Sequence, residues 1–182
     1  MFIVASWWKS SKQSALDYKE EMIKHSLKNY KLMNEMNIYQ NKNNEEQLIS
    51  WLEFSAKPNE QASNIEDIDI GFIGELKCDV GGNDKSSRWI YIVHTDIPDD
   101  IVGEYNQWYD EEHLPRLVTV PGVNRARRYL CKGQSPKYLT AYSLDDPSAF
   151  ESPEGLIARK TPWTAKMRSL FFNTRRTMAQ KI

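Results

Sequence analysis

Trp108-Tyr109-Asp110-Glu111-Glu112-His113-Leu114-Pro115, followed by Val120-Pro121-Gly122-Val123, gathers in one stretch the side chains that can move protons. An imidazole titrates near neutral pH, and neighbouring carboxylates can orient it. Aromatic rings beside such groups suit a small hydrophobic molecule. Four-residue intervals put Tyr105, Tyr109 and His113 on one helical face, while Ile97, Ile101 and Trp108 form an adjacent stripe expected to pack on a sheet. The chemistry this arrangement implies is general acid–base catalysis. His113 is the principal group, Asp110 or Glu112 orients it, and Tyr109 donates a hydrogen bond. The structural alternative has His113 closing the helix end and Glu112 paired with an arginine.

His94 is the second imidazole candidate. Strand alternation places it on a face with Ile90 and Ile92, where it is either a satisfied core residue or a catalytic group opposite Tyr142. Six tryptophans and nine tyrosines are many for this length, and most are expected in the core. Trp108, Tyr142 and Trp163 are expected to line the pocket, with Tyr105 and Arg128 completing the substrate contacts. His25, His94 and His113 show no metal-ligand spacing, so neither a metal nor another cofactor is expected. Cys78 and Cys131 have no partners at metal-binding intervals and read as reduced thiols. No Ser-His-Asp, phosphate-loop or dinucleotide pattern occurs.

The helix carrying the motif is expected to start at Pro98, which suits a first turn, and to stop at Pro115. Three acids then sit at a helix C-terminus, where the macrodipole disfavours negative charge unless Arg116 or the Arg125–Arg128 run compensates. A protonated His113 is favoured there. Around this helix, strands are expected at Trp89–Thr95, Arg125–Cys131, Tyr138–Leu144 and Leu170–Met178, with helical segments at Asp146–Phe150 and Pro162–Met167. The N-terminal side repeats the order. Phe2–Trp8 is a strand and Ser14–Met36 a helix, Asn37–Tyr39 and Leu48–Phe54 are strands, a short helical piece covers Asn59–Ser63, and Ile68–Lys77 is a strand. Both sides read as β-α-β-β-α-β, the ferredoxin-like order, giving an α+β fold of tandem halves. The expected division is 1–80, a Gly- and polar-rich linker at 81–87, and 88–182. Such a sheet has helices on one face and an apolar face needing cover, which a homodimer or an intramolecular pseudo-dimer provides.

Hydrophobic residues at 40% and charged residues at 27% of 182 allow a real core. A formal net charge of −1 argues against a nucleic-acid partner, and no apolar run has the length of a membrane span. Arg125-Ala126-Arg127-Arg128 and Arg175-Arg176 read as solvated or ion-paired strand positions. A cytoplasmic, reduced setting is the expectation.

Tyr105-Asn106-Gln107-Trp108-Tyr109-Asp110-Glu111-Glu112-His113-Leu114-Pro115, then Val120–Val123, Arg127-Arg128-Tyr129 and Thr161-Pro162-Trp163-Thr164, resemble the EthD-like branch of the dimeric α+β barrel superfamily. The resemblance covers roughly Trp89 to Ile182. It implies two curved sheets closing around an apolar chamber. Members of the branch include lactone isomerases, polyketide cyclases and cofactor-free monooxygenases, which implies a small hydrophobic, aromatic or polyketide-like substrate. The alternative it leaves is a ligand-binding or accessory protein without catalysis. The N-terminal half departs from the pattern: His25 is followed by Ser26-Leu27, and no Pro-Gly turn follows. If the halves are related, His25 is the worn-down counterpart of His113.

Overall fold

The computed structural model describes residues 1–9, 17, 37–55 and 70–182. His25 and the helices expected at 14–36 and 59–63 lie outside these, apart from a helical Asp17. Eight strands are present: β1 (Phe2–Lys9), β2 (Asn37–Asn41), β3 (Asn44–Phe54), β4 (Ile70–Gly81), β5 (Trp89–Asp96), β6 (Val123–Leu130), β7 (Tyr138–Leu144) and β8 (Phe172–Lys181). Each strand expected from the sequence is found, several extended by a few residues. The fold is α+β, and neighbouring strands follow the order β1-β3-β2-β8-β5-β7-β6-β4.

The chain forms two compact units, Met1–Leu76 with Ala179–Ile182, and Lys77–Met178. In the first, β1 runs antiparallel between β3 and β4, and β3 continues to β2. Its strand order is therefore 4-1-3-2, counting its strands along the chain. The sequence Ile3-Val4-Ala5-Ser6-Trp7 is buried throughout, as are Leu48 to Phe54, so these strands are covered on both faces and carry little polar alternation.

The second unit has the same order, β8-β5-β7-β6, with β4 beside β6. Alternation divides its sheet cleanly. Val93, Ala126, Tyr138, Tyr142 and Leu144 join a core with Tyr105, Trp108, Tyr109, Leu114 and Leu117 of the helical layer. Arg125 and Arg127 point to the other face. Arg125 is held by Asp79 at 2.7 Å and Arg127 by Asp84 at 2.9 Å, the ion-paired fate expected for this run. Asp84 also accepts from Ser143 Oγ, and Asn124 Nδ2 donates to Ser87 Oγ. The Gly-rich 81–87 stretch is thereby tied to the second unit, and the compact units divide at Leu76/Lys77 and Met178/Ala179.

Gly81 has a φ of +103°, and a Cβ there would lie 2.5 Å from the Asn124 carbonyl oxygen. Only glycine meets both demands. Gly81→Ala is expected to cost about 2–3 kcal/mol in chemical unfolding, whereas Gly82→Ala, which meets nothing within 4 Å, stays close to wild type.

Candidate active site

The helix that bears the motif does not stop at Pro115. A 3-10 turn at Asp99–Ile101 leads into α1 (Val102–Trp108), a π turn (Tyr109–His113) and α2 (Leu114–Leu117). The Leu114 N–H donates to the Tyr109 carbonyl, five residues back. Pro115 sits in the first positions of α2, where its missing N–H and fixed φ are tolerated, because the widened turn before it has already left the α-helical bonding pattern. The chain leaves the helix only at Val118, whose N–H reaches the Leu114 carbonyl.

This extension changes the setting of His113. It lies inside the helix instead of at its C-terminus, so the expected dipole stabilisation of its charged form is lost. The imidazole is 4% exposed, stacked on Trp108 with ring centroids 4.1 Å apart and meeting Tyr109 edge-on at 5.1 Å. Its Nδ1 has no hydrogen-bond partner among the described residues. Burial, with further contributions from Arg168 and Arg159, lowers its pKa to about 3. His113 is therefore uncharged at neutral pH, contrary to the protonated form the sequence suggests.

The unfolded chain takes up a proton near pH 6.5 that folded His113 refuses until about pH 3. Stability from this source is complete above pH 6.5 and is lost as the pH falls through that window. Thermal melts between pH 6.5 and 4.5 should show a declining midpoint, and His113→Gln should decline less steeply. Parallel slopes would contradict a buried neutral imidazole.

Neither expected carboxylate orients His113. Asp110 accepts from Arg128 Nη2 at 2.9 Å, and Glu112 accepts from Thr161 Oγ1 at 2.6 Å. Glu111 accepts from Gln107. Arg116 donates to the Ala158 and Ile157 carbonyls, so of Arg116 and the Arg125–Arg128 run only Arg128 meets a motif acid. Arg128 is almost fully buried. Its Nη1 donates to Asn106 Oδ1, and its guanidinium lies 5.8 Å and 5.3 Å from the ring centroids of Tyr105 and Tyr109. It does not line the recess described below. Cys78 hydrogen-bonds Asp110, and burial chiefly, reinforced by that carboxylate, pushes its thiol up to about 11. The buried Cys131 thiol is pushed to about 12, so neither cysteine is a ready nucleophile.

His94 does not meet Tyr142. Tyr142 pairs in register with Tyr91 and stacks beside it at 6.1 Å on the helix side, while His94 pairs with Leu139 and alternates to the opposite face. His94 is buried, and desolvation with the nearby Arg175 lowers its pKa to about 3. Its expected partnership with Tyr142 is therefore corrected.

The second unit contains a shallow recess between the sheet and the helical layer. His113, Leu117 and Val93 form part of its lining, and Tyr91, Tyr109, Tyr142, Phe150 and Phe171 supply aromatic surface. Arg159, Arg168 and Arg176 complete it, and no carboxylate lines it. The free space is about 30 Å³, room for a water or two, within about 390 Å³ when open solvent at the mouth is counted. Tyr109 accepts a hydrogen bond from Thr140 Oγ1 at 3.1 Å. Burial raises the Tyr105, Tyr109 and Tyr142 phenols above their ordinary value, so all three remain neutral.

Of the residues expected from the sequence, the recess brings together His113, Tyr109 and Tyr142. Tyr105 and Trp108 are packed behind it in the core, and Trp163 donates to Glu104 Oε1 at 3.1 Å, apart from the lining. Tyr91, Phe150 and the three arginines were not foreseen. Alternation along β5 signals Tyr91, two residues before Val93 and on its face. Nothing in the local pattern signals Arg159 or Arg168. They come from α3 (Pro153–Arg159) and α4 (Pro162–Ser169), two short helices brought to the recess by tertiary packing.

No protein-family model matches the sequence, and no curated protein matches it. Solved structures do share the fold. A ferredoxin-fold protein of Listeria monocytogenes related to antibiotic biosynthesis monooxygenases superposes with a TM-score of 0.66 and 12% identity, covering 100% of this chain and 95% of its own. A haem-degrading enzyme of the same organism gives 0.66 at 11% identity, covering 99% of each chain. An anthrone oxidase-like protein gives 0.64 at 12%, covering 100% of this chain and 91% of its own. At these identities the likeness establishes the ferredoxin-type α+β barrel architecture.

Proposed function

We propose that this chain is a small cofactor-independent enzyme acting by acid–base chemistry on a hydrophobic, aromatic or polyketide-like molecule, in an isomerisation, cyclisation, dehydration or oxygenation. The observation that carries this reading is an uncharged, buried imidazole on an aromatic-walled recess edged by arginines. In this reading neutral His113 accepts a proton from an acidic C–H or O–H of the substrate. In the empty recess the imidazolium is disfavoured by burial and by Arg168 and Arg159. A substrate anion formed beside it supplies the missing countercharge, so proton transfer yields an ion pair and not a lone buried cation. The arginines stabilise the developing anion, and the neutral Tyr109 and Tyr142 phenols supply hydrogen bonds.

The relatives named as monooxygenase-related and anthrone oxidase-like favour the oxygenation branch of this proposal. The same reading takes the chain as two ferredoxin-like halves of EthD-like descent, acting in the cytoplasm and as a homodimer or an intramolecular pseudo-dimer.

Anthrone and simple phenols serve as test substrates. Wild-type protein should accelerate deuterium exchange at the acidic position or oxygen uptake, and His113→Ala should not. Binding without any such acceleration would favour the second reading, a non-catalytic ligand-binding protein. That reading draws on one specific observation, the engagement of Asp110 and Glu112 elsewhere, which leaves His113 without an orienting carboxylate.

A further inference from the structure

We infer that the recess takes an aromatic carboxylate, its acid group held by Arg159, Arg168 and Arg176 and its ring lying against Tyr91, Tyr142 and Phe150. This deepens the reading of the recess as the substrate site and rests on it.

Three guanidinium groups from three separate elements, α3, α4 and β8, line one opening that no carboxylate shares. Convergence from separate elements is not the by-product of one amphipathic face. The arginines of β6 are neutralised: Arg125 and Arg127 by Asp79 and Asp84, Arg128 by Asp110. Among the described residues none of the three recess arginines has an ion pair. Arg159 is fixed by other means. It donates from Nε to the Gly155 carbonyl at 3.2 Å and from Nη2 to the Phe150 carbonyl, with its guanidinium over the Phe150 ring. One cation is thus preorganised, and two exposed ones, Arg168 and Arg176, can move onto a ligand.

Their charges are close enough to be felt. Arg168 acts on Arg159, and both act on His113. Crowded like charges are a cost that a bound anion relieves; Glu151 acts on Arg159 but does not line the recess. A second observation points to the same opening: His113 lines it, is 4% exposed, and carries an Nδ1 with no partner among the described residues. The aromatic lining separates this recess from a site for a bare inorganic anion. A ring enters by displacing the two exposed arginine side chains, because the free space alone admits only water.

Calorimetric titration with benzoate, benzyl alcohol and inorganic phosphate decides the matter. Benzoate should bind about tenfold or more tightly than benzyl alcohol, weaken about tenfold in Arg168→Gln and in Arg176→Gln, and weaken with added salt. Both residues are exposed, so these variants retain the fold. Equal binding of benzoate and benzyl alcohol, or benzoate affinity unchanged in both variants, would overturn the proposal. Phosphate matching benzoate would overturn the aromatic part of it. Benzoate binding by a protein that shows no proton-transfer activity leaves this inference standing while the catalytic reading fails. Turnover of neutral substrates with no preference for benzoate does the reverse.

Discussion

His113→Ala is expected to lower the rate of the proposed substrate deprotonation by about 10²- to 10⁴-fold, the range associated with removing a positioned general base. The effect should fall on kcat more than on KM, because the imidazole acts on the reacting proton while the aromatic walls and arginines bind the rest of the molecule. His113→Gln tests the chemistry separately from the space. It fills much of the same volume, retains hydrogen-bonding groups and has no titratable nitrogen, so it should be as slow as the alanine variant. The pH profile adds a third criterion. An imidazole whose pKa sits near 3 in the empty protein remains a free base across the neutral range, so kcat/KM should show no His-type fall between pH 8 and pH 6. If His113→Gln turns over like wild type, the imidazole is a packing element and the proton leaves by another route. Binding measured on the same variants must survive for the rate loss to be read as chemistry.

The π turn accounts for much of what the sequence conceals about this residue. Proline at position 115 is a sound signal for a helix boundary, since α-helical geometry is disfavoured for the residue before it. Here the bonding pattern widens one turn earlier, and the helix resumes through Leu114–Leu117. The boundary moves only a few residues, yet the environment of His113 inverts, from a charged cap favoured by the helix dipole to a neutral group inside a packed layer. Strand positions fared differently. Apolar-rich Trp89–Thr95 and Tyr138–Leu144 mark β5 and β7, which are buried almost throughout, with side chains alternating between faces at a period of two. That same period separates His94 from Tyr91 and Val93. Their partnership across to β7 depends on register, which pairs Tyr91 with Tyr142 and His94 with Leu139 and is not written in either strand alone. The arginine edge is still less local. Arg159 and Arg168 reach the recess through helix packing, and Arg176 lies in a basic pair that reads equally well as solvated strand. Residues that share an element were therefore legible as a group, whereas those joined only by tertiary contact were not.

Trp108→Ala is expected to cost about 3–5 kcal/mol, the range for emptying a fully buried large aromatic site, and to lower the melting midpoint by about 6–20 °C. Trp108 has no exposed surface, meets Tyr105, Tyr109 and Phe171, and donates from Nε1 to Thr164 Oγ1 at 3.3 Å. Its removal leaves a void between helix and core and reduces the Thr164 hydroxyl to its 3.5 Å hydrogen bond with Glu112 Oε1. It also removes the surface on which the His113 imidazole lies, at a centroid distance of 4.1 Å and an interplanar angle of 26°. A destabilised but folded variant should consequently lose rate as well. Trp108→Phe separates the two effects: it restores most of the apolar volume and a ring for stacking, but not the indole N–H. Its stability loss should be about 1–2 kcal/mol, from one hydrogen bond and a smaller void, with turnover close to wild type. Should Trp108→Phe melt like wild type but turn over as slowly as Trp108→Ala, the indole N–H and not the stacked ring would be what holds His113 in place. Equal stability of Trp108→Ala and wild type would mean that the ring is not enclosed as described, and with it the buried setting of the imidazole would fall.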